Sequence, residues 1–366
     1  MRRETLRSAN IRVFLTPHPS PLTFLLATFV LLFVLAGCAK EPPVFHEQSF
    51  VFGTMVEVTI SGEEEARARE LAGKVLADFD YLHRTLHAWE PGSLSRMNAV
   101  FAQSPSKAAV VPGLVTIIQD AARLSEMSGG LFNPAIGKLI KLWGFQGDEF
   151  TPQLPDPGEI KALVQANPRM ADIVFEGIQF YSRNPAVQLD LGGYAKGYAL
   201  DLAAEYLRAQ GVKGALINIG GNVIAVGSRG GQPWRIGVQH PRKAGAIASL
   251  ELRDGEAIGT SGDYQRYFEL DGKRYCHIID PRTGYPAQGV QAVTVLIPKG
   301  NNAGTLSDVA SKPAFIAGVK GWHAAAKGMG AESAMLIDER GEVYLTAAMK
   351  KRLEFQEKGL VFHEVP

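Results

Sequence analysis

Residues 190–201 read Asp-Leu-Gly-Gly-Tyr-Ala-Lys-Gly-Tyr-Ala-Leu-Asp, and no other stretch of this 366-residue chain restricts its fold as tightly. A strand has to run into a helix here through a glycine pair, with Lys196 in the helix's first turn. A helix start offers unpaired N–H groups and the positive end of a dipole, and Gly192 and Gly193 would let backbone approach an anion that a side chain would block. That is where a protein would hold a phosphate. Alone, such a pair more often marks a tight turn, so the weight falls on the rest of the chain.

Around this segment the pattern alternates helices with short strands. Folding is expected to begin near Phe50, with Val56, Val58 and Ile60 alternating as a strand and Leu71, Val75, Phe79, Leu82 and Leu86 at helical spacing. Leu114, Ile117, Ile118, Ala121 and Leu124 predict a second helix, stopped by Gly129-Gly130. Asp156, Pro157 and Glu159 read as the capped start of another. Between about Ile173 and Asp190, and again from Leu216 to Ile297, β-rich segments are punctuated by turns such as Asp271-Gly272. The expected class is α+β, with mixed, mostly antiparallel sheets flanked by helices. The tail, with Ala334–Ile337, Val343–Leu345 and a basic helix near Lys350, reads as closing scaffold.

The N-terminus predicts the compartment. Arg2, Arg3, Arg7 and Arg12 precede an apolar run from Leu22 to Ala36 that ends Leu35-Ala36-Gly37-Cys38, the layout of a secretory signal with a lipobox-like cysteine. Residues 1–37 are expected to be a signal peptide, Cys38 a lipidated first residue on the periplasmic face of a bacterial membrane, and residues 38–49 a linker. A membrane-spanning anchor is the alternative; either puts the body outside the cytoplasm. Losing residues 1–37 removes four Arg and one Glu and leaves a net charge near −2. With no basic run, nucleic acid is excluded as a partner. Cys38 and Cys276 are the only cysteines, so no internal disulfide forms if Cys38 is lipidated, and the fold rests on its core.

Four stations are unusual for pure structure: Ser128-Gly-Gly-Leu-Phe-Asn-Pro134 with Leu142-Trp-Gly-Phe145; Gly220-Gly-Asn222; Thr260-Ser-Gly-Asp-Tyr264 followed by His277-Ile-Ile-Asp-Pro-Arg-Thr-Gly284; and Ser307–Lys312 at the head of an apparent helix. His277, Asp280 and Arg282 could gather an imidazole, a carboxylate and a guanidinium on one loop, residue types that suit phosphoryl transfer. Each station has a plain reading as well: Asn133 as a helix N-cap, Asp280–Gly284 as an ordinary turn, Asp308 as a helix-start carboxylate. The glycine spacing is neither that of a Rossmann fingerprint nor of a P-loop, no His/Cys cluster has zinc spacing, and Ser261 lacks a nucleophile elbow.

In their order these motifs, with Phe52-Gly-Thr54 and Ser93-Leu-Ser-Arg-Met-Asn98, resemble the FAD:protein FMN transferases of the ApbE family, from Phe50 to about Gly318. The resemblance implies one two-lobed, ApbE-like (T-fold-like) catalytic body over residues 50–366, with FAD in the cleft between lobes. It implies an enzyme that binds FAD with Mg²⁺, moves FMN onto a Thr or Ser hydroxyl of an acceptor protein and releases AMP. Phe52, Trp89, Leu131, Phe132, Asn133, Lys196, Leu202 and Ile279 fall at FAD-contact positions. Ala199, through its carbonyl, and Asp308 fall at metal-ligand positions, and His277 matches the expected general base. Some relatives hydrolyse FAD or only hold it, so a metal-dependent FAD pyrophosphatase and a non-catalytic flavin-binding lipoprotein are the alternatives.

One departure stands out. The family commonly carries a threonine four residues after the aspartate, often preceded by a second aspartate, and these help hold metal; here Ser311 and Lys312 take those places. A protonated lysine cannot ligate Mg²⁺. Either the Lys312 ammonium replaces part of the metal's charge, or Asp308 and Lys312 form a surface ion pair at helical spacing.

Overall fold

The computed structural model describes residues 42–103, 108–109, 112–147 and 149–365. The expected signal peptide, Cys38 and the start of the linker lie outside them. The strands that position the site are β1 (Val44–Val51), β2 (Thr54–Ser61), β6 (Gly214–Ile219), β7 (Asn222–Gly227), β10 (Ala257–Gly262), β13 (Val290–Ile297), β14 (Ser333–Asp338), β15 (Val343–Thr346) and β17 (Phe362–Val365). They form one sheet in the order β1-β2-β6-β7-β10-β13-β14-β15-β17, antiparallel except for the β15–β17 pair. Ordered chain therefore begins before Phe50, and residues 44–49 of the expected linker are strand. The sequence hides this because β1 is an edge strand that alternates half-exposed polar residues; backbone pairing with β2, from Val44↔Ser61 to Val51↔Thr54, holds it.

Strand β13 is buried along its whole length, because the sheet is covered on both faces. Val293, Val295 and Ile297 join the helical core, while Ala292 and Leu296 pack with Trp234, Leu250 and Leu252. Those last residues come from β8 (Trp234–Gln239) and β9 (Ala246–Leu252), which form a small second sheet with β16 (Glu354–Phe355). The helical side comprises α1 (Glu65–Leu86), α2 (Ser93–Ala102), α3 (Pro112–Met127), α6 (Ala195–Ala209) and α7 (Ala303–Gly328). Every apolar residue that predicted α1 and α3 is buried. Gly129 and Gly130, both at positive φ, end α3's run, and Asp156 caps α5 (Pro157–Ala166) through the N–H groups of Gly158 and Glu159. A third apolar cluster joins α5 and α4 (Gly137–Leu142) to the hairpin of β11 (Tyr267–Leu270) and β12 (Lys273–Cys276). The expected Asp271-Gly272 turn closes that hairpin, with both residues left-handed.

Two helices set the geometry of the site. Gly197 of α6 and Gly304 of α7 face each other so closely that a Cβ on Gly197 would stand 2.4 Å from the Gly304 carbonyl oxygen and 2.7 Å from Asp308 Cβ. Asp201 pins the same junction: Oδ1 accepts from the Gly304 N–H at 2.7 Å, and Oδ2 accepts from the Thr305 N–H and hydroxyl at 2.8 and 2.7 Å. Helix α7 is thus capped by a carboxylate borrowed from α6, and it starts at Ala303 rather than at Ser307. Asp308 consequently sits in its second turn and is no helix-start residue. Burial pushes the Asp201 carboxyl up to about 6 against these hydrogen bonds. Asp201→Ala is expected to cost about 1–2 kcal/mol in urea unfolding, the usual loss of a cap; a change under roughly 0.5 kcal/mol would show that the junction does not depend on it.

Candidate active site

A cleft of about 650 Å³, within the usual range for small-molecule sites, opens where the β1–β2 turn, the end of α1, the start of α6, strand β10 and helix α7 converge. Its wall includes Phe52, Trp89, Leu131, Phe132, Asn133, Lys196, His277, Ile279 and Lys312. Residues scattered over some 260 positions thus meet in one place. Phe52 occupies the first position of a two-residue turn and is itself left-handed, at φ 56°, a conformation that costs a non-glycine residue about 1 kcal/mol or more. Its ring meets His83 edge-on at 5.6 Å. His87 Nδ1 accepts from the N–H groups of Trp89 and Glu90, which turns the chain so that Trp89 Nε1 donates to Asp190 Oδ2 at 3.1 Å.

Several expected residues do other work. Asn133 does not cap a helix: its Oδ1 accepts from the Ala135 N–H and its Nδ2 donates to the Pro168 carbonyl, which shapes the 131–136 segment along the cleft. Gly192 does not offer its N–H to a ligand, because Asp190 Oδ1 accepts it at 2.8 Å. Gly193 makes room for a neighbour instead; a Cβ there would stand 2.8 Å from Lys312 Cε. Leu202 and Ala199 lie on α6 behind the wall, packed in the helical core, and a carbonyl in the body of a helix is directed along the axis to the N–H four residues on. The Asp280–Gly284 turn stands outside the cleft: Arg282 pairs with Asp280 at 2.7 Å, neither lines the cleft, and the Gly284 carbonyl accepts from Trp143 Nε1 at 2.8 Å. Cys276 is buried and its thiol is pushed up to about 12, chiefly by burial, which rules it out as a thiolate nucleophile at neutral pH.

His277 is the centre of the polar wall. Its Nδ1 lies 3.1 Å from the Arg266 carbonyl oxygen. A carbonyl only accepts, so Nδ1 carries the proton and Nε2 is left with a lone pair. Burial lowers the pKa of the imidazole to about 3, aided by the Arg266 guanidinium, Lys196 and Lys312. The ring is neutral at pH 7. Lys196, also lowered by burial, feels the same two cations and the opposing charge of Asp308. Three cations therefore converge on one neutral histidine, the arrangement of an anion site with a base beside it.

Arg266 belongs to no motif singled out in the sequence, yet a signal for it existed. Reflected through the Asp271-Gly272 turn, His277 falls opposite Arg266, one position beyond the Tyr267↔Cys276 pair. The His277 N–H donates to the Arg266 carbonyl at 3.0 Å, and the guanidinium donates to the carbonyls of Phe145 and Gly147. Its Nε is buried without a partner among the described residues.

The positions expected to hold Mg²⁺ do not form an available donor set. Asp308 is 1% exposed, so it belongs to no surface ion pair. Its Oδ1 accepts from Lys312 Nζ at 2.6 Å and its Oδ2 from the Gly197 N–H at 3.0 Å. Ser311 donates its hydroxyl to the Asp308 carbonyl at 3.0 Å, so the 2.7 Å contact between Ser261 and Ser311 is donated by Ser261. The charge of Asp308 is already paired with an ammonium, which would repel a second cation at the same carboxylate.

A profile of the ApbE family matches residues 52–336. The FAD:protein FMN transferase of Rhodobacter capsulatus is 41% identical over 330 residues, 89% of this chain and 62% of that protein. This chain thus spans less than two thirds of that relative. The FAD:protein FMN transferase of Vibrio cholerae is 33% identical over 270 residues, 72% of this chain and 80% of that protein. The ApbE protein of Thermotoga maritima superposes with a TM-score of 0.77 at 30% identity, over 86% of this chain and 100% of that one. The apo Pseudomonas stutzeri flavinyl transferase ApbE does so at 0.73 and 28%, over 86% and 98%. The α+β architecture and most of the described body are shared with these proteins, and the chain belongs to the ApbE family.

Proposed function

We propose that this chain transfers the FMN half of FAD to a Thr or Ser hydroxyl of an acceptor protein and releases AMP. The observation that carries the reading is the neutral His277, with its Nε2 lone pair, among Lys196, Arg266 and Lys312. The acceptor oxygen attacks the FMN-side phosphorus. The bond from that phosphorus to the bridging oxygen breaks, and the electron pair leaves with AMP. His277 Nε2 takes the hydroxyl proton, and the three cations meet the charge of the pyrophosphate. Phe52 and Trp89 offer flat faces to the flavin or adenine ring. Catalysis is then positioning and electrostatics, with no covalent enzyme intermediate.

The same reading makes the protein a lipid-anchored envelope enzyme tethered through Cys38 and facing the periplasm. The lipobox-like Leu35-Ala36-Gly37-Cys38 after an apolar run supports the anchor. The test is to mix the soluble form beginning after Cys38 with FAD and a periplasmic domain bearing a candidate Thr, and to read intact mass. A gain of one FMN on the acceptor is expected. Free FMN and AMP with an unmodified acceptor would support the pyrophosphatase reading, and FAD bound without turnover would support the flavin-binding lipoprotein.

A further inference from the structure

We propose that Lys312 is a built-in counter-cation for the FAD pyrophosphate, so that FAD binding and AMP departure in this chain need no divalent cation at Asp308. The inference rests on the flavin-transferase reading above and specifies how its anion site is charged. Lys312 lines the cleft, with its side chain only 17% exposed. Its ammonium donates to Asp308 Oδ1 at 2.6 Å and to the Asp308 carbonyl at 2.7 Å. An ammonium has three donors; the third has no acceptor among the described residues and is left for a ligand. The stem is accommodated by the chain itself, since it runs past Gly193 where any Cβ would collide with Cε and Cδ.

The charge distribution agrees. Lys196, Arg266 and Lys312 bring three positive charges to the side of the cleft that holds His277, where Asp308 is the opposing charge that acts on Lys196. The charged side chains that act on Lys196 are Asp308, Lys312 and Arg266. The other carboxylates on the wall are Asp190, tied to Trp89 and the Gly192 N–H, and Glu90 beside Trp89. A Mg²⁺ at Asp308 would have to displace the ammonium from Oδ1 or stand beside its like charge, while finding near-octahedral oxygen donors at about 2.0–2.1 Å. Burial makes the resident pair harder to open than a surface one, because either charge alone would be left desolvated. During transfer the Lys312 ammonium hydrogen-bonds the phosphate oxygens of the departing AMP; the proton of the acceptor goes to His277, and no metal-bound species takes part.

The test measures FAD affinity by flavin fluorescence in EDTA and in Mg²⁺, cation binding by Mn²⁺ electron paramagnetic resonance, and AMP release, on the wild type, Lys312→Thr and Lys312→Met. The wild type is expected to bind FAD within about threefold under both conditions and to hold no stoichiometric Mn²⁺. Lys312→Thr frees Asp308 and supplies a hydroxyl, so its affinity should fall at least about tenfold in EDTA, recover in Mg²⁺, and a bound Mn²⁺ should appear. Lys312→Met keeps the stem without the charge and should bind FAD more weakly than wild type in EDTA. Wild-type binding that collapses in EDTA, a stoichiometric Mn²⁺ on the wild type, or wild-type affinity in Lys312→Met would each overturn the proposal while leaving the flavin reading standing. No FAD binding under any condition would overturn both.

Discussion

His277→Ala is expected to lower the rate of FMN transfer by about 10²–10⁴-fold, the usual contribution of a positioned general base, while FAD affinity changes by no more than roughly threefold. The ring supplies the Nε2 lone pair, whereas the pyrophosphate is held by the cations. Quenched-flow release of AMP alongside flavin fluorescence separates the two effects. A variant that loses FAD binding in step with turnover would make His277 a binding residue and remove the base from the scheme. The pH profile tests the same assignment. Because burial and the three cations depress the imidazole pKa to about 3 in the free protein, the active neutral form persists from neutral pH down through 6.5 and is lost only as pH falls toward that value. kcat/KM, which reports the free enzyme, should therefore show no acid limb near 6.5. In kcat the limb should lie higher, since bound pyrophosphate offsets the cations that depress the pKa. An acid limb in kcat/KM at 6.5 that disappears in a His277 variant would contradict this electrostatic account.

Gly197→Ala is expected to force α6 and α7 apart. The new Cβ would stand 2.4 Å from the Gly304 carbonyl oxygen and 2.7 Å from both Thr305 Cα and Asp308 Cβ. Two of these are backbone atoms of α7, which no rotamer change can clear, so α6 and α7 must separate. Overpacking of this kind costs about 1–3 kcal/mol. Separation also lengthens the Gly197 N–H bond to Asp308 and the Asp201 bonds to Gly304 and Thr305. Urea unfolding should show a loss near the top of that range, and FAD affinity should fall at least tenfold because Lys196 and Lys312 are carried on the two separating helices. A variant within roughly 0.5 kcal/mol of wild type that still binds FAD would show that the helices need not touch for the site to form.

Local signals carried much of the architecture. The buried faces of α1 and α3 followed from apolar spacing, the cap on α5 from Asp156, and the β11–β12 turn from Asp271-Gly272, because each is decided by residues within a turn or two of one another. Elements held by distant partners were less legible. Strand β1 lacks an apolar alternation of its own and exists through pairing with β2, and the start of α7 is set by Asp201, about a hundred residues earlier in the chain.

The candidate site divides in the same way. The sequence by itself determined the α+β class, the helix start that carries Lys196, the stations that carry the ApbE resemblance, and the presence of a lysine where that resemblance implies a metal-holding threonine; the strand expected to lead into Gly192-Gly193 is absent, since residues 183–194 hold only an isolated bridge at Gln188. Only the tertiary structure decided that Arg266 stands beside His277, that its carbonyl selects the tautomer leaving Nε2 unprotonated, that Leu202 and Ala199 fall behind the wall, and that Asp308 is buried with both oxygens engaged. The physical reason is range. Helical periodicity, turns and caps are local, but burial, the sum of several charges at one point and the closeness of two helices depend on groups brought together only when the chain is folded.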